Sequence, residues 1–171
     1  MISIPTLETP RLLLRQFRQN DSDALAALHA DPEVMKFLGD GKPKARAETW
    51  LAMASYLGHW ELRGYGLWAD EEKATGKFVG RIGLLDPEGW PGLEVAWTLA
   101  RDRWGNGFAT EGAKAALEYA FSVLKLEHVI SLIHPDNAAS IRVAMRIGEK
   151  LEGQAELFGA MRSVYGVRRP S

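Results

Sequence analysis

The sequence predicts an α+β fold: one domain whose central sheet is mixed but mostly antiparallel, flanked by helices. Three observations carry this. The middle of the chain holds three short β-rich runs broken by turn-rich stretches. A well-patterned amphipathic helix follows them directly. A strand, a helix and two further β-rich runs then close the chain. At 171 residues the protein has the length of one domain and can bury a core without staples.

The elements follow in order. Arg11–Phe17 reads as a first strand, with Leu12 and Leu14 on one face. Asn20, Asp21, Ser22 and Asp23 offer caps to a helix beginning at Ala24. Asp31-Pro32-Glu33 restarts a short helix, with proline in the tolerated first turn. Gly39–Pro43 is a loop, and Lys44 to about Glu61 is helical, with Trp50, Met53, Ala54 and Leu57 forming the buried stripe. Gly66–Ala69, Lys77–Leu85 and Leu93–Leu99 form an antiparallel meander, separated by the turn-rich Glu71–Gly76 and Asp86–Gly92. Ala109–Leu124 is an amphipathic helix that buries Ala109, Ala113, Ala116, Leu117, Ala120, Phe121 and Leu124. His128–His134 is a strand, and Asn137–Ile147 a helix stopped by Gly148. Leu151–Phe158 and Met161–Val167 make a closing β-pair, and the tail Val167–Ser171 is expected to fray. No repeat, low-complexity tract or linker interrupts residues 1–171; the ordered core is expected over about 9–167.

Composition narrows the function. With 46% hydrophobic and 25% charged residues the chain is globular in type. A net charge of -1 provides no global field toward nucleic acid or anionic membrane. The absence of cysteine removes disulfides, thiolate metal sites and a cysteine nucleophile. Met1–Pro5 lacks the basic and apolar regions of a signal peptide, and no apolar run nears the roughly 20 residues of a membrane span. A cytoplasmic enzyme is expected. His29, His59, His128 and His134 show no metal-ligand spacing, and no metal is expected.

The chemistry concentrates in Trp104-Gly105-Asn106-Gly107-Phe108-Ala109-Thr110-Glu111, between the meander and the long helix. A helix start has unsatisfied N–H groups and partial positive charge, which together bind anions. Glycines 105 and 107 allow positive φ and close approach, Thr110 offers a hydroxyl, and Arg101 and Arg103 add charge nearby. The residues alone leave two readings open: a phosphate cradle, or a glycine turn before a capped helix. The dinucleotide fingerprint fails because position 110 is not glycine, and Thr75-Gly76-Lys77-Phe78 lacks the other elements of a P-loop.

Trp104–Glu111 with Gly112-Ala113 closely resembles the acetyl-CoA signature of GCN5-related N-acetyltransferases (GNAT), particularly the Rim-type branch, which acetylates protein N-terminal amines and small amines. Thr9–Arg15 resembles that branch's opening strand. Asn137-Ala138-Ala139-Ser140-Ile141-Arg142 and Gly148 resemble its second cofactor segment. Together these run from about Thr9 to Gly148 in the expected order. The resemblance implies a single GNAT-like domain that moves an acetyl group from acetyl-CoA directly to a primary amine. It implies that Trp104, Gly105, Asn106, Gly107, Phe108, Ala109 and Thr110 hold the pyrophosphate. It also implies a strand that bulges beside the cofactor, where the backbone of Trp97, Thr98 and Leu99 meets the pantetheine arm. Asn137 would reach the same arm, Ser140 the phosphates, and Arg142 or Arg146 the adenosine 3′-phosphate. Asn137 and Ser140 read equally as a local cap, and the arginines as a solvated face.

An amine of pKa ~10 needs a base at neutral pH. Glu94 is the candidate, through a water; the alternative is a surface glutamate on an amphipathic strand. Two departures from the family pattern stand out. Ala144 occupies the position of a tyrosine that protonates the leaving thiolate, with Tyr165 and Tyr119 as substitutes, and Glu149 stands where phenylalanine follows the helix-ending glycine. Ala144 motivates a second reading, a CoA-binding sensor or interaction module with little or no catalysis. The expected partner is a small-molecule or protein N-terminal amine, with a second copy of the chain as a candidate and nucleic acid and membrane excluded. Trp50, Trp60, Trp68 and Trp90 are candidates to line its pocket.

Overall fold

Eight strands form one sheet in the order β1-β2-β3-β4-β5-β6-β8-β7. The computed structural model describes residues 3–170. Met1, Ile2 and Ser171, and with them part of the leader and tail readings, lie outside the described residues. The strands are β1 (Leu7–Glu8), β2 (Leu12–Arg15), β3 (Leu67–Glu72), β4 (Lys77–Leu85), β5 (Glu94–Leu99), β6 (His128–Ile133), β7 (Lys150–Leu157) and β8 (Ala160–Arg168). The helices are α1 (Ser22–Ala30), α2 (Pro32–Met35), α3 (Arg46–Arg63), α4 (Phe108–Ser122) and α5 (Ala138–Arg146). Every strand pair is antiparallel except β5–β6, which α4 connects as a crossover. The expected α+β class and mostly antiparallel sheet are therefore observed.

Alternation along the strands supplies a core on each face of the sheet. Leu12, Leu14, Trp68, Val79, Ile82, Leu84 and Val95 pack with Phe108, Ala113, Ala116, Leu117 and Ala120 of α4. Leu67 and Ala69 pack with Phe17, Leu25, Leu28, Val34 and Met53, which come from β2's end and α1–α3. Gly80 shows how closely β4 and β5 approach. A Cβ there would lie 2.3 Å from the Thr98 carbonyl oxygen and 2.9 Å from Leu99 Cα.

Several boundaries differ from the sequence reading, each for a physical reason. β1 is too short to show periodicity. Glu71 and Glu72 belong to β3 and not to the turn, because Glu71 meets Arg15 at 2.7 Å and Glu72 meets Arg103 at 3.5 Å. Asp21 is the N-cap residue of α1, but its side chain makes no capping bond to that helix. Its carboxylate takes a two-pronged bond from Arg15 (2.9 and 2.8 Å) and the N–H of Arg18 (2.7 Å). Asp31 does cap α2, accepting from Glu33 N at 2.9 Å. The stripe of α3 is rotated from the expected one: Thr49, Met53 and Trp60 are buried, while Trp50 is 53% exposed. Helix α4 stops at Ser122, and Lys125 then takes a left-handed turn (φ 58°), so Leu124 lies beyond the helix. The closing β-pair is a two-residue hairpin with Phe158 and Gly159 both left-handed, the backbone that suits such turns. The tail is not frayed at its start, because Arg169 donates its N–H to Glu127 O at 3.0 Å and its side chain pairs with the Glu127 carboxylate.

The close approach at Gly80 generates a stability prediction. Gly80→Ala forces backbone against backbone, and the fold is expected to lose roughly 2 kcal/mol, read as a lower urea midpoint at unchanged m-value.

Candidate active site

The site begins where β5 and β6 part. Their pairing is confined to Glu94 and Ile130, with Ile130 N donating to Leu93 O at 2.9 Å. Beyond that point the two strands diverge. The bulge expected in β5 is absent, since its register against β4 is continuous from Glu94 to Leu99. Divergence from β6, rather than a bulge, opens the sheet.

One cleft, of about 490 Å³, lies at the open end of the fork. It is lined by Trp97, Thr98 and Leu99 of β5, by Trp104, Gly105, Gly107, Phe108, Ala109 and Thr110 of the loop and first turn of α4, and by Asn137, Ser140 and Arg142 near α5. Twelve of the thirteen residues expected at the cofactor thus line one cleft. The thirteenth, Asn106, turns its side chain back onto the carbonyls of Arg103 (3.3 Å) and Trp104 (3.0 Å).

The loop has the form of an anion cradle. Gly107 is the N-cap of α4 with φ 79°, and no side chain caps the helix, so the N–H groups of its first turn remain open. Gly105 is also left-handed (φ 75°), with nothing within 4 Å of its would-be Cβ. Lys36, Arg142 and Arg146 line the cleft together with Arg103, which pairs with Glu72 at 3.5 Å, and the one carboxylate in the lining is Glu33. These features suit a polyphosphate. Lys36 and its neighbours Val34, Phe37 and Leu38, which form the far wall, carried no motif in the sequence.

The loop is held from a distance. Glu111 accepts from Thr9 Oγ1 at 2.6 Å, from Arg11 N at 2.8 Å and from Arg11 Nε at 2.7 Å. Arg11 also donates through Nη1 to the Asn106 carbonyl at 2.8 Å and lies over the Phe108 ring at 4.5 Å. The first-strand segment and the loop segment are therefore two halves of one clamp.

A second pocket, about 250 Å³, lies alongside and shares Phe37, Leu38, Trp97, Thr98, Asn137 and Ser140 with the cleft. Glu94 lines it. The surface-glutamate alternative fails, because Glu94 is only 9% exposed. Its carboxylate accepts from Trp90 Nε1 at 2.8 Å and from Leu132 N at 3.2 Å, closing the fork where backbone pairing stops. Burial raises its pKa above the ordinary 4.5, opposed by the Trp90 and Leu132 bonds and by the charges of Arg81 and Arg162. Asn137 caps α5, as its local reading required, by accepting from Ser140 N at 3.2 Å. Ser140 Oγ accepts from Trp97 Nε1 at 3.3 Å.

Other candidates fall elsewhere. Of the four tryptophans expected near an acceptor only Trp90 lines this second pocket; Trp60 and Trp68 are core, and Trp50 is exposed. Ala144 is fully buried, and neither Tyr119 nor Tyr165 lines either cavity; Tyr119 packs on Trp60 and Trp68. Tyr56 is the tyrosine that lines the second pocket. Sequence reasoning also missed Arg81 and Arg162. The available signal was a charge in the middle of an apolar strand, VGRIGLL and AMRSVYGV. On the pocket wall, Ser131 donates to Val95 O at 2.8 Å and meets buried Glu149 at 3.0 Å. Among the described residues no group of His, Asp or Glu is placed to hold a metal, and no helix is long and apolar enough to cross a membrane.

Comparison with known proteins identifies the class. Residues 11–150 match the acetyltransferase (GNAT) domain family, and the chain belongs to it. It is 37% identical over 150 residues to Bacillus subtilis YkkB, covering 83% of each chain. The structure of an acetyltransferase from Agrobacterium tumefaciens str. C58 superposes with a TM-score of 0.88 at 32% identity, covering 99% of this chain and 97% of that one. A Rim-type enzyme, the RimL ribosomal L7/L12 alpha-N-protein acetyltransferase in complex with coenzyme A, shares the fold (TM-score 0.78, 18% identity, 96% and 98% covered).

Two predictions follow from this geometry. Arg11→Ala removes the Asn106 tether and half of the Glu111 clamp, and the dissociation constant for coenzyme A is expected to rise about tenfold by calorimetry. Burial lifts the Glu149 carboxyl to about 8, against an opposing bond from Ser131 and with the help of the Glu94 and Glu152 charges. The folded state therefore keeps a proton that the unfolded chain releases near 4.5. This contribution to stability is complete below about 4.5 and is lost as pH rises toward 8. Glu149→Gln should raise Tm relative to wild type by on the order of 5 °C at pH 8.5, with the difference shrinking toward pH 5.

Proposed function

We propose that the protein is an acetyl-CoA-dependent N-acetyltransferase that transfers the acetyl group directly to a primary amine. The observation that carries this reading is the junction at Trp97, Thr98, Asn137 and Ser140. There, a cleft built for a polyphosphate meets a separate pocket containing a buried carboxylate. Acetyl-CoA supplies the acetyl group as a thioester. The residues expected to hold it are Gly105, Gly107, Phe108, Ala109 and Thr110 through the first turn of α4, with Arg103, Arg142 and Arg146 adding charge. The backbone of Trp97–Leu99, freed by the fork, would align the pantetheine arm and polarise the thioester carbonyl. Asn106 would contribute through its backbone alone.

Glu94 is the proposed base. A carboxylate has about four lone-pair sites, and Trp90 and Leu132 use two of them, leaving room for a water or the amine. Its raised pKa, caused by burial, strengthens it as a base. No acyl-enzyme is needed, because the chain has no cysteine and Ser131 is tied to Val95 O and Glu149. A cytoplasmic location fits this substrate.

A second reading, a CoA-binding module with little or no turnover, is favoured by one observation. The position of the usual proton donor to the thiolate is Ala144, and neither proposed substitute reaches the cleft. A thiol of pKa ~8.5 leaves tolerably without such a donor, so transfer remains the first reading. Purified protein incubated with acetyl-CoA and an amine panel is expected to release free thiol. Glu94→Gln should lower kcat about 100-fold and abolish the acid limb of the rate profile, where wild-type activity falls as Glu94 takes up its proton. An unchanged pH profile removes Glu94 from this role. Coenzyme A binding without thiol release on any amine selects the second reading.

A further inference from the structure

We propose that the acceptor is a small amine bearing its own carboxylate, of free amino-acid type, and that Arg81 and Arg162 bind that carboxylate. The inference rests on the acetyl-transfer reading and names the substrate class of that site.

The two arginines flank the fork, Arg81 from β4 beside β5 and Arg162 from β8 beside β6, and both line the 250 Å³ pocket. Among the described residues neither forms an ion pair with a carboxylate. Arg162 is 6% exposed and donates only to carbonyls, Gly39 O at 3.1 Å and Met161 O at 3.5 Å. Arg81 lies 5.3 Å over the Tyr56 ring, and its buried Nε has no hydrogen-bond partner. Glu94 is the one carboxylate that lines the pocket, and its oxygens already hold Trp90 and Leu132. Asp70, opposite Gly80 in the neighbouring strand, is buried outside the pocket lining and forms no ion pair with Arg81.

The charge count then decides the substrate. Two guanidinium groups face one carboxylate, an excess of one positive charge in a largely buried space. A simple alkylammonium acceptor would increase that excess, and uncompensated buried charge is costly. An acceptor with a carboxylate cancels it. A guanidinium fork also matches carboxylate geometry, whereas an amide or ester offers weaker acceptors and no charge. The ammonium end then faces Glu94, and the aromatic walls of Tyr56, Trp90 and Trp97 remain for an apolar side chain.

The test uses matched sets: phenylalanine, phenylalaninamide and phenethylamine, with methionine and its amide as a second set. Thiol release from acetyl-CoA is expected to favour the free acid over its amide by at least about tenfold in kcat/KM. Arg81→Met and Arg162→Met should each compress that ratio toward one, and Arg81→Lys should restore part of it. Binding is read separately, as the thermal shift each amine adds to the coenzyme A-saturated protein. The acids should raise Tm and the amides should not, whether or not turnover is seen. If thiol release is absent but the acids bind selectively, the acetyl-transfer reading fails and the carboxylate site stands. Equal use or equal binding of acid and amide, or a ratio unchanged in both methionine variants, overturns the proposal. Arg81→Met removes no backbone tether, so it decides the matter if Arg162→Met fails to fold.

Discussion

The structure depends on two parallel strands that stop pairing. A sheet interior normally satisfies every backbone group along its ladder. Here β5 and β6 pair at Glu94–Ile130 and then separate, so the open sides of the strands must find other partners. Side chains at the apex supply some: the Glu94 carboxylate takes Leu132 N, and the Ser131 hydroxyl takes Val95 O. Farther out, the backbone of β5 faces the large cleft. The gap that would be a defect in a closed sheet is thus the feature that admits an extended ligand between strands.

The same opening explains the electrostatics. A fork cut into a two-sided core places polar groups where burial is nearly complete. Glu94, Arg81 and Arg162 line the pocket there, and Glu149 meets its wall at Ser131. For the two acids the raised pKa has one dominant cause, loss of water. Such sites carry a stability cost, and the two cores on either face of the sheet provide the stabilisation that offsets it.

Much of this was legible in the sequence, and the reason is local. The Gly105–Gly107 loop, the start of α4 and the Asn137 cap are each specified by residues adjacent in the chain, so short-range pattern finds them. The meander and closing hairpin are legible for the same reason. What escaped depends on partners far apart. Glu71 looked like a turn residue until Arg15 was brought to it. The stripe of α3 had two adjacent phases, and only packing against α1 and the sheet selected Thr49–Met53–Trp60 over the one containing Trp50. Arg81 and Arg162 are separated by half the chain, and no periodicity signals that they share a pocket. Glu94 was found as a residue, but its burial was not, because strand alternation cannot show that the fork turns its side chain inward.

The clamp from Thr9 and Arg11 to Glu111 has a thermodynamic consequence. It ties the cradle to β2, which lies next to the two-residue strand β1 at one edge of the sheet. Sheet edges and chain ends are where local opening costs least. Each excursion of that edge away from β3 would also release the loop that grips phosphate. By reciprocity, a ligand that holds the loop must hold the edge, so occupancy of the cleft and fraying of the N-terminal strands are two readouts of one equilibrium.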